Sequence, residues 1–311
     1  MPDTDKNSGY RGRFAPSPSG ELHFGSLVAA MGSYLDARSH QGEWLIRMED
    51  LDRTREVKGA AKSILQTLEN LGFCWDGEII YQSRRTAAYA EAVDRLIQAR
   101  LAYPCGCSRK LIEEQAKYGS EGTIYPGTCR NGVPQGRAER SVRILTTDEM
   151  ITIVDSVQGR IGQQINREIG DFVIRRADGF HAYQLAVVID DAWQGITDIV
   201  RGADLLSSTP RQHYLQQLLR IPHPTYAHLP LAVDDQGRKL SKQFKDAPVD
   251  PNQPMDILLR ALDFLNQPLP PQRPETIEAF WQWAVPRWSL KPIPARLQIP
   301  AASRKNLNNL R

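Results

Sequence analysis

A turn that leads into a helix near the start of the chain gathers residue types suited to holding phosphate. Pro16 and Pro18 interrupt regular hydrogen bonding after a strand-like run at 11–15. Gly20 permits an unusual turn, and Gly25 lets a ligand approach the main chain closely. From Ser26 the sequence reads as a helix N-terminus, where exposed N–H groups and the macrodipole favour an anion. His23 in that crevice can donate to a nucleotide phosphate. A second basic loop, Gly237-Arg238-Lys239-Leu240-Ser241-Lys242-Gln243, follows a turn at 234–237. Its lysines could clamp a triphosphate and steady the charge on departing pyrophosphate.

Arg13 and Ser17 flank the first turn, and Glu49 ends a second strand-like run at 44–48. A guanidinium and a carboxylate facing one crevice suit a zwitterion, with Arg13 on its carboxylate and Glu49 on its ammonium. The same two residues could instead pair with each other. Tyr183 and Arg201 close two later strand-like runs and could line the same place. A second arginine would complement a second carboxylate, which points to glutamate or aspartate.

Three of the four cysteines, Cys105, Cys107 and Cys129, fall in a short stretch rich in Gly and Pro. Four cysteines in 311 residues exclude a disulfide scaffold, and this grouping suggests metal. Three thiolates are one ligand short of a closed tetrahedral site. No histidine lies between His40 and His181, so Tyr125, Cys74, a carboxylate such as Glu113, or water remain for the fourth position.

The elements that must position these residues alternate. Helix signals occupy 26–39, 57–71 with Gly72 as its C′ residue, 84–101 capped by Ser83, and 210–219; strand signals occupy 11–15, 44–48, 141–145, 171–176, 185–189 and 196–200. The rhythm stops between 103 and 134, as an inserted module would make it do. Alternation of this kind predicts an α/β fold, a doubly wound parallel sheet whose ligand crevice lies at the strands' carboxyl ends. After residue 245, Pro248, Pro251 and Pro254 mark a linker into a short helical appendage with a helix at 255–265. Hydrophobic content of 41% and charged content of 24% describe a soluble globular chain. There is no signal-peptide pattern and no apolar run long enough for a bilayer, so a cytoplasmic protein without a membrane partner is expected. A net charge of +3 says little, but no acidic residue follows Glu278, and Trp281, Trp283 and Trp288 sit among basic residues. Core packing and an RNA-facing surface are both compatible with that pattern.

Taken together, these motifs carry a family resemblance. His23-Phe24-Gly25-Ser26 resembles the HIGH signature of class I aminoacyl-tRNA synthetases, and Lys239-Leu240-Ser241-Lys242-Gln243 resembles their KMSKS signature. The stretches 13–20, 47–52, 183–191 and 195–202 resemble the glutamyl branch in particular, so the likeness covers about residues 11–245. It implies ATP-dependent activation of L-glutamate to glutamyl-adenylate. Arg13, Phe14, Ala15, Pro16, Ser17, Glu49, Tyr183 and Arg201 would bind glutamate. His23, Gly25, Ser26, Lys239 and Lys242 would bind ATP with its Mg²⁺, His23 and Lys242 acting as the catalytic pair. It also implies one structural Zn²⁺ on Cys105, Cys107, Tyr125 and Cys129. The corresponding division is a Rossmann-type catalytic domain at 1–102 and 171–245, a zinc-binding, acceptor-type module at 103–170, and the helical appendage at 246–311.

Three departures from the glutamyl pattern matter. Val187 stands where those enzymes have a substrate-contacting asparagine, which predicts glutamate binding weaker by about 1 kcal/mol or more. Gln243 ends the lysine loop in place of serine or arginine, a minor change. Residues 243–311 are also too few for the family's anticodon-binding region. In this the chain resembles the truncated glutamyl enzymes that attach glutamate to the queuosine base at the wobble position of tRNA(Asp). The expected partner is therefore the tRNA(Asp) anticodon loop carrying queuosine, whose unpaired bases can be splayed out and read. A monomer suffices for this chemistry. A compact enzyme charging tRNA(Glu), or a non-catalytic zinc- and RNA-binding paralogue, are the alternatives.

Overall fold

The structure is a computed structural model that describes residues 9–115, 117–119, 121–234, 236–237 and 253–301. The lysine loop with Lys239 and Lys242 lies outside the described residues. β1 (Arg11–Phe14) runs into α1 (Phe24–Ser39), which returns the chain to β2 (Glu43–Met48), parallel to β1 with Arg11 opposite Glu43. α2 (Ala60–Asn70) then leads to β3 (Ile80–Tyr81) beside β2. Gly72, at φ +74°, follows α2 in the left-handed C′ conformation expected of it.

The chain next leaves this sheet through α3 (Thr86–Gln98) and β4 (Ala102–Cys105). The cysteine-bearing stretch holds α4 (Arg109–Glu113) and a hairpin of β5 (Lys117–Gly119) and β6 (Gly122–Ile124). There follow β7 (Ser141–Ile144), the hairpin β8 (Ile151–Asp155) and β9 (Gly159–Gln163), α5 (Ile165–Glu168) and β10 (Val173–Arg175). The chain continues through α6 (Tyr183–Trp193), β11 (Asp198–Gly202), α7 (Thr209–Leu219), β12 (Thr225–Leu229) and β13 (Leu231–Val233). α8 (Pro254–Phe264), α9 (Ile277–Ala284) and β14 (Gln298–Pro300) complete it.

Parallel pairing gives one ladder β1-β2-β3 and a second of β11, β12 and β8. They meet where Thr197 N–H donates to the Arg11 carbonyl (3.0 Å) and Arg11 N–H donates to Thr197 Oγ1 (2.8 Å). β1 and β11 are thus neighbours from opposite ends of the winding, which makes their carboxyl ends the switch-point crevice. α1 crosses close behind them. A Cβ at Gly32 would come within 2.4 Å of the Leu229 side chain, which would have to shift to admit it, so glycine eases this approach at a helix-propensity cost of about 1 kcal/mol.

Three sequence expectations are corrected, and of the two readings left open for the C-terminal tryptophans the structure shows core packing for Trp281 and Trp288. Residues 185–189 belong to the buried helix α6, not to a strand. A short apolar run cannot reveal its own period when it is buried on every side, as α6 is in the core it shares with α3 and α7. The strands near 141–145 and 171–176 lie outside the parallel ladder, in a separate antiparallel sheet of order β10-β7-β4. Ser83 does not cap α3. Its N–H and hydroxyl donate to Asp50, and the helix starts at Thr86 after a tight turn. Trp281 and Trp288 are core residues, with Nε1 donating to the Leu71 carbonyl (3.0 Å) and to Asp36 Oδ1 (2.8 Å).

The C-terminal helices therefore share the first core with α1, α2 and β2. Phe264 meets Phe24 edge-on, and Trp281 joins an aromatic cluster with Tyr34, Phe73 and Trp44. β14 pairs with β13, directly after the crevice. Among the described residues, no helix is long and apolar enough to cross a membrane. Trp281→Ala removes this aromatic centre and the Leu71 bond. It is expected to lower the unfolding free energy in urea by about 3–5 kcal/mol. A loss below about 1 kcal/mol, a typical single-substitution effect, would place α9 outside the cooperative core.

Candidate active site

The crevice between β1 and β11 is a cavity of about 800 Å³. Arg13 to Ser17 form one wall, His23, Gly25 and Ser26 another, and Glu49, Tyr183 and Arg201 complete the set named from sequence. Local structure explains each placement. The loop after β1 is pinned to the loop after β2, because Glu49 N–H donates to the Pro16 carbonyl and Val57 N–H to that of Pro18, both at 3.0 Å. Gly20 turns the chain back at φ +144°. His23 is the N-cap of α1, its Nδ1 accepting from Ser26 N–H at 3.3 Å and its Nε2 lying 2.9 Å from Ser26 Oγ. The helix N-terminus thus opens on the cavity with an imidazole at its rim.

Arg13 and Glu49 do not pair with each other. Arg13 Nε donates to Asp191 Oδ1 at 3.0 Å, while Glu49 Oε1 lies 3.4 Å from Arg47 Nη2. Both contacts come from a buried network that sequence reasoning missed. Arg47 is fully buried on β2, with Nη1 donating to Asp191 Oδ1 (2.8 Å) and to Gln194 Oε1 (2.7 Å). Burial disfavours its charge, but Asp191, Glu49 and Asp190 outweigh that and raise its pKa. Burial also pushes the Asp191 carboxyl up, yet Arg13 and Arg47 prevail and hold it below the ordinary range. For Glu49 the balance reverses. Burial raises its pKa against the pull of the two arginines, so an arriving ammonium would favour its charged form. The readable signal was the Asp190-Asp191 pair in an otherwise apolar run. Asp190 lies 4.0 Å from Arg47 Nε and accepts from Gln82 (2.9 Å), Arg85 (2.6 Å) and the Tyr89 hydroxyl (2.7 Å).

Tyr183 opens α6 rather than closing a strand. Burial, with the charge of Glu49, lifts its pKa to about 12, so its hydroxyl is a donor at neutral pH. Arg201, at the end of β11, is buried and donates to His228 Nε2 (3.0 Å), Thr209 Oγ1 (2.9 Å) and Gln212 Oε1 (2.7 Å). Its Nη1 is buried and has no hydrogen-bond partner among the described residues. Val187 is fully buried in the second core and is not among the residues that line the cavity.

Away from the cavity, Cys105, Cys107 and Cys129 bring their sulfurs within 4.8 Å of one another. The Tyr125 oxygen lies 3.3 Å from Cys105 Sγ and 3.8 Å from Cys107 Sγ, and it accepts the Cys129 N–H at 3.0 Å. Cys107 and Cys129 sulfurs are 3.6 Å apart. Arg143 lies over the Tyr125 ring and donates Nε to Cys105 Sγ at 3.4 Å. Burial raises the Cys105 thiol, but hydrogen bonds from Tyr125, the Cys107 N–H and Arg143 bring it down to about 7. Cys74 is exposed in the loop after α2, and Glu113 is exposed on α4; neither belongs to the group.

The fold and this cavity define a class I synthetase catalytic domain. Residues 10–257 match the family described as tRNA synthetases class I (E and Q), catalytic domain, and the chain belongs to that family. Among curated relatives, the Glutamyl-Q tRNA(Asp) synthetase of Dechloromonas aromatica (strain RCB) is 54% identical, over 93% of this chain and 97% of its own. The enzyme of the same name from Chromobacterium violaceum is 53% identical over 94% and 99%. A solved glutamate tRNA ligase from Elizabethkingia meningosepticum, in complex with its amino acid, shares the fold. Its TM-score is 0.77 at 21% identity, over 95% of this chain and 67% of that one.

Asp191→Asn leaves Arg13 and Arg47 buried beside a neutral amide. It is expected to cost about 3–5 kcal/mol of stability at neutral pH. Because the folded-state pKa of Asp191 is depressed, its contribution is complete above the unfolded value of about 3.9 and is lost as pH falls toward the folded one. Urea titrations of wild type and variant should therefore converge in acid. A gap that stays constant below about pH 4, the ordinary carboxylate range, would show that the charge of Asp191 is not the source.

Proposed function

We propose that the chain is an ATP-dependent ligase that activates L-glutamate as glutamyl-adenylate and transfers the glutamyl group to the queuosine base at the wobble position of tRNA(Asp). In the first step a glutamate carboxylate oxygen attacks the α-phosphorus of ATP and pyrophosphate leaves. In the second, a nucleophilic group of the queuosine base attacks the activated carbonyl and AMP leaves. The observation that carries the glutamate assignment is Arg201, which lines the cavity with Glu49 and Tyr183 and whose buried Nη1 has no hydrogen-bond partner among the described residues. A donor so buried is costly unless an anion completes it. The queuosine assignment rests on the relatives named Glutamyl-Q tRNA(Asp) synthetase.

In this reading Arg201 takes the side-chain carboxylate, Glu49 takes the ammonium, and the Tyr183 hydroxyl and the Arg13 to Ser17 wall orient the amino acid. His23 with the Gly25 and Ser26 main chain receives ATP phosphates, and Lys239 and Lys242 close on them, His23 and Lys242 stabilising the transition state. Mg²⁺ arrives with ATP. The partner is the anticodon loop of tRNA(Asp). Glutamylation assays on queuosine-containing tRNA(Asp) and on tRNA(Glu) test the reading. Product on the first alone is expected, and the reverse pattern would make this a compact enzyme for tRNA(Glu).

Cys105, Cys107, Cys129 and Tyr125 fit one structural Zn²⁺. A tetrahedral ion with Zn–S of about 2.3 Å and Zn–O of about 2.0 Å sets its ligand atoms about 3.5–3.8 Å apart, close to the separations among these donors. Zn²⁺ there would cross-link the turn after β4 to the 125–129 segment and neutralise the thiolates. Tyr125→Phe should lose zinc on dialysis against a chelator more readily than wild type, while Cys74→Ala should not. The opposite order in metal analysis would make Cys74 the fourth ligand.

A further inference from the structure

Arg201 meets His228 because the parallel register of β11 and β12 sets the two residues opposite each other. His228 is fully buried, and its ring nitrogens face partners of opposite character. Nδ1 lies 2.6 Å from Asp155 Oδ2, whereas Nε2 lies 3.0 Å from Arg201 Nε and 3.1 Å from the Thr209 hydroxyl, which itself accepts from Arg201 Nη2. An arginine N–H can only donate, so Nε2 accepts, and the proton of the neutral ring sits on Nδ1. Asp155 is held in turn. Its Oδ1 accepts the main-chain N–H groups of Val157 (2.9 Å), Gln158 (2.8 Å) and His228 (3.1 Å), which aims Oδ2 at the imidazole. Burial, aided by the charge of Arg201 and opposed by Asp155, lowers the His228 pKa to about 4. The ring is therefore neutral at physiological pH. Around the guanidinium, Thr209 and Gln212 take Nη2 and the Tyr226 ring lies 5.4 Å from Cζ, so Nη1 is the nitrogen left over.

We infer that Asp155 and His228 form a positioning couple for Arg201. The carboxylate selects the Nδ1–H tautomer, and the lone pair thereby left on Nε2 turns the guanidinium so that Nη1 is presented to the side-chain carboxylate of glutamate. The inference rests on the proposed role of Arg201 in binding glutamate. Arg201 touches the substrate; His228 and Asp155 act through it.

Asp155→Asn discriminates, because the amide cannot serve both of its neighbours. Its oxygen satisfies the three main-chain N–H groups, which turns the NH₂ toward imidazole Nδ1. Nδ1 must then accept, the proton moves to Nε2, and an N–H confronts the Arg201 Nε–H. An Asp-to-Asn change inverts a histidine tautomer in the same way in hydrolase triads. Glutamate-dependent ATP–pyrophosphate exchange of the full chain, with tRNA(Asp) present, reads the consequence. Asp155→Asn is expected to raise KM for glutamate by about tenfold or more, the scale of a hydrogen bond to a charged group, with KM for ATP unchanged. Long-range ¹H–¹⁵N spectra of the histidines should show Nδ1–H at His228 in the wild type and Nε2–H in the variant.

His228→Phe and His228→Gln keep the test decisive if Asp155→Asn does not fold. The phenyl ring fills the site without an acceptor and should raise KM for glutamate; the Gln amide oxygen replaces Nε2 and should recover most of the loss. An Nε2–H tautomer in the wild type overturns the couple, as do equal effects of Phe and Gln, or glutamate and ATP KM values that rise together. If Arg201→Lys leaves KM for glutamate unchanged, the glutamate role of Arg201 is what fails, and the tautomer spectrum still decides the couple on its own.

Discussion

Arg47 is buried without residual exposure at the C-terminal half of β2, and a guanidinium there persists only because carboxylates and an amide surround it. Two of those carboxylates, Asp190 and Asp191, belong to α6, more than a hundred residues away in the chain. Removing charges from water costs several kcal/mol each, so the arrangement tolerates few alternatives. α6 must sit where Asp191 reaches both Arg13 on β1 and Arg47 on β2. That constraint joins the two halves of the winding beneath the cavity. It also sets the cavity's electrostatics, because Glu49 answers to the same two arginines.

A second buried chain of hydrogen bonds serves the opposite wall. Asp155, His228, Arg201, Thr209 and Gln212 come from β8, β12, β11 and α7, and their bonds converge on one guanidinium. Both networks use histidine or carboxylate groups deep in the protein to aim an arginine. The cavity is thus built less from its lining side chains than from what stands behind them. Rigid elements whose polar groups are mostly paired, Arg47 Nε and Arg201 Nη1 apart, keep such a site in its geometry before a ligand arrives.

The C-terminal helices fit the same logic of support. Trp281 and Trp288 lie in the first core, their indole N–H groups tied to α2 and α1, and β14 pairs beside the strand that follows the cavity. Their sequence, aromatic and basic together, is equally what an RNA surface would show. Only the burial of the indoles separates the two readings. The cysteine group brings the turn after β4 against the 125–129 segment, through Cys105 and Cys107 on Tyr125 and Cys107 on Cys129.

Sequence alone determined the local chemistry: the turn around His23, the C′ glycine at 72, the ends of β1 and β2 to within a residue, and the grouping of three cysteines. Each depends on neighbours within a few residues, where backbone geometry and side-chain type act directly. The identity of Glu49, Tyr183 and Arg201 as one site was legible through motif resemblance and the rule for switch-point crevices. Tertiary structure decided what those residues touch. The run at 185–189 is helix, and its burial in the second core is what hid the helical period from the sequence. Arg13 took Asp191 rather than Glu49, and Arg201 took His228. The physical reason is the same in both cases: a buried charge is stabilised by partners it meets in space, and those partners lie 178 and 27 residues away along the chain.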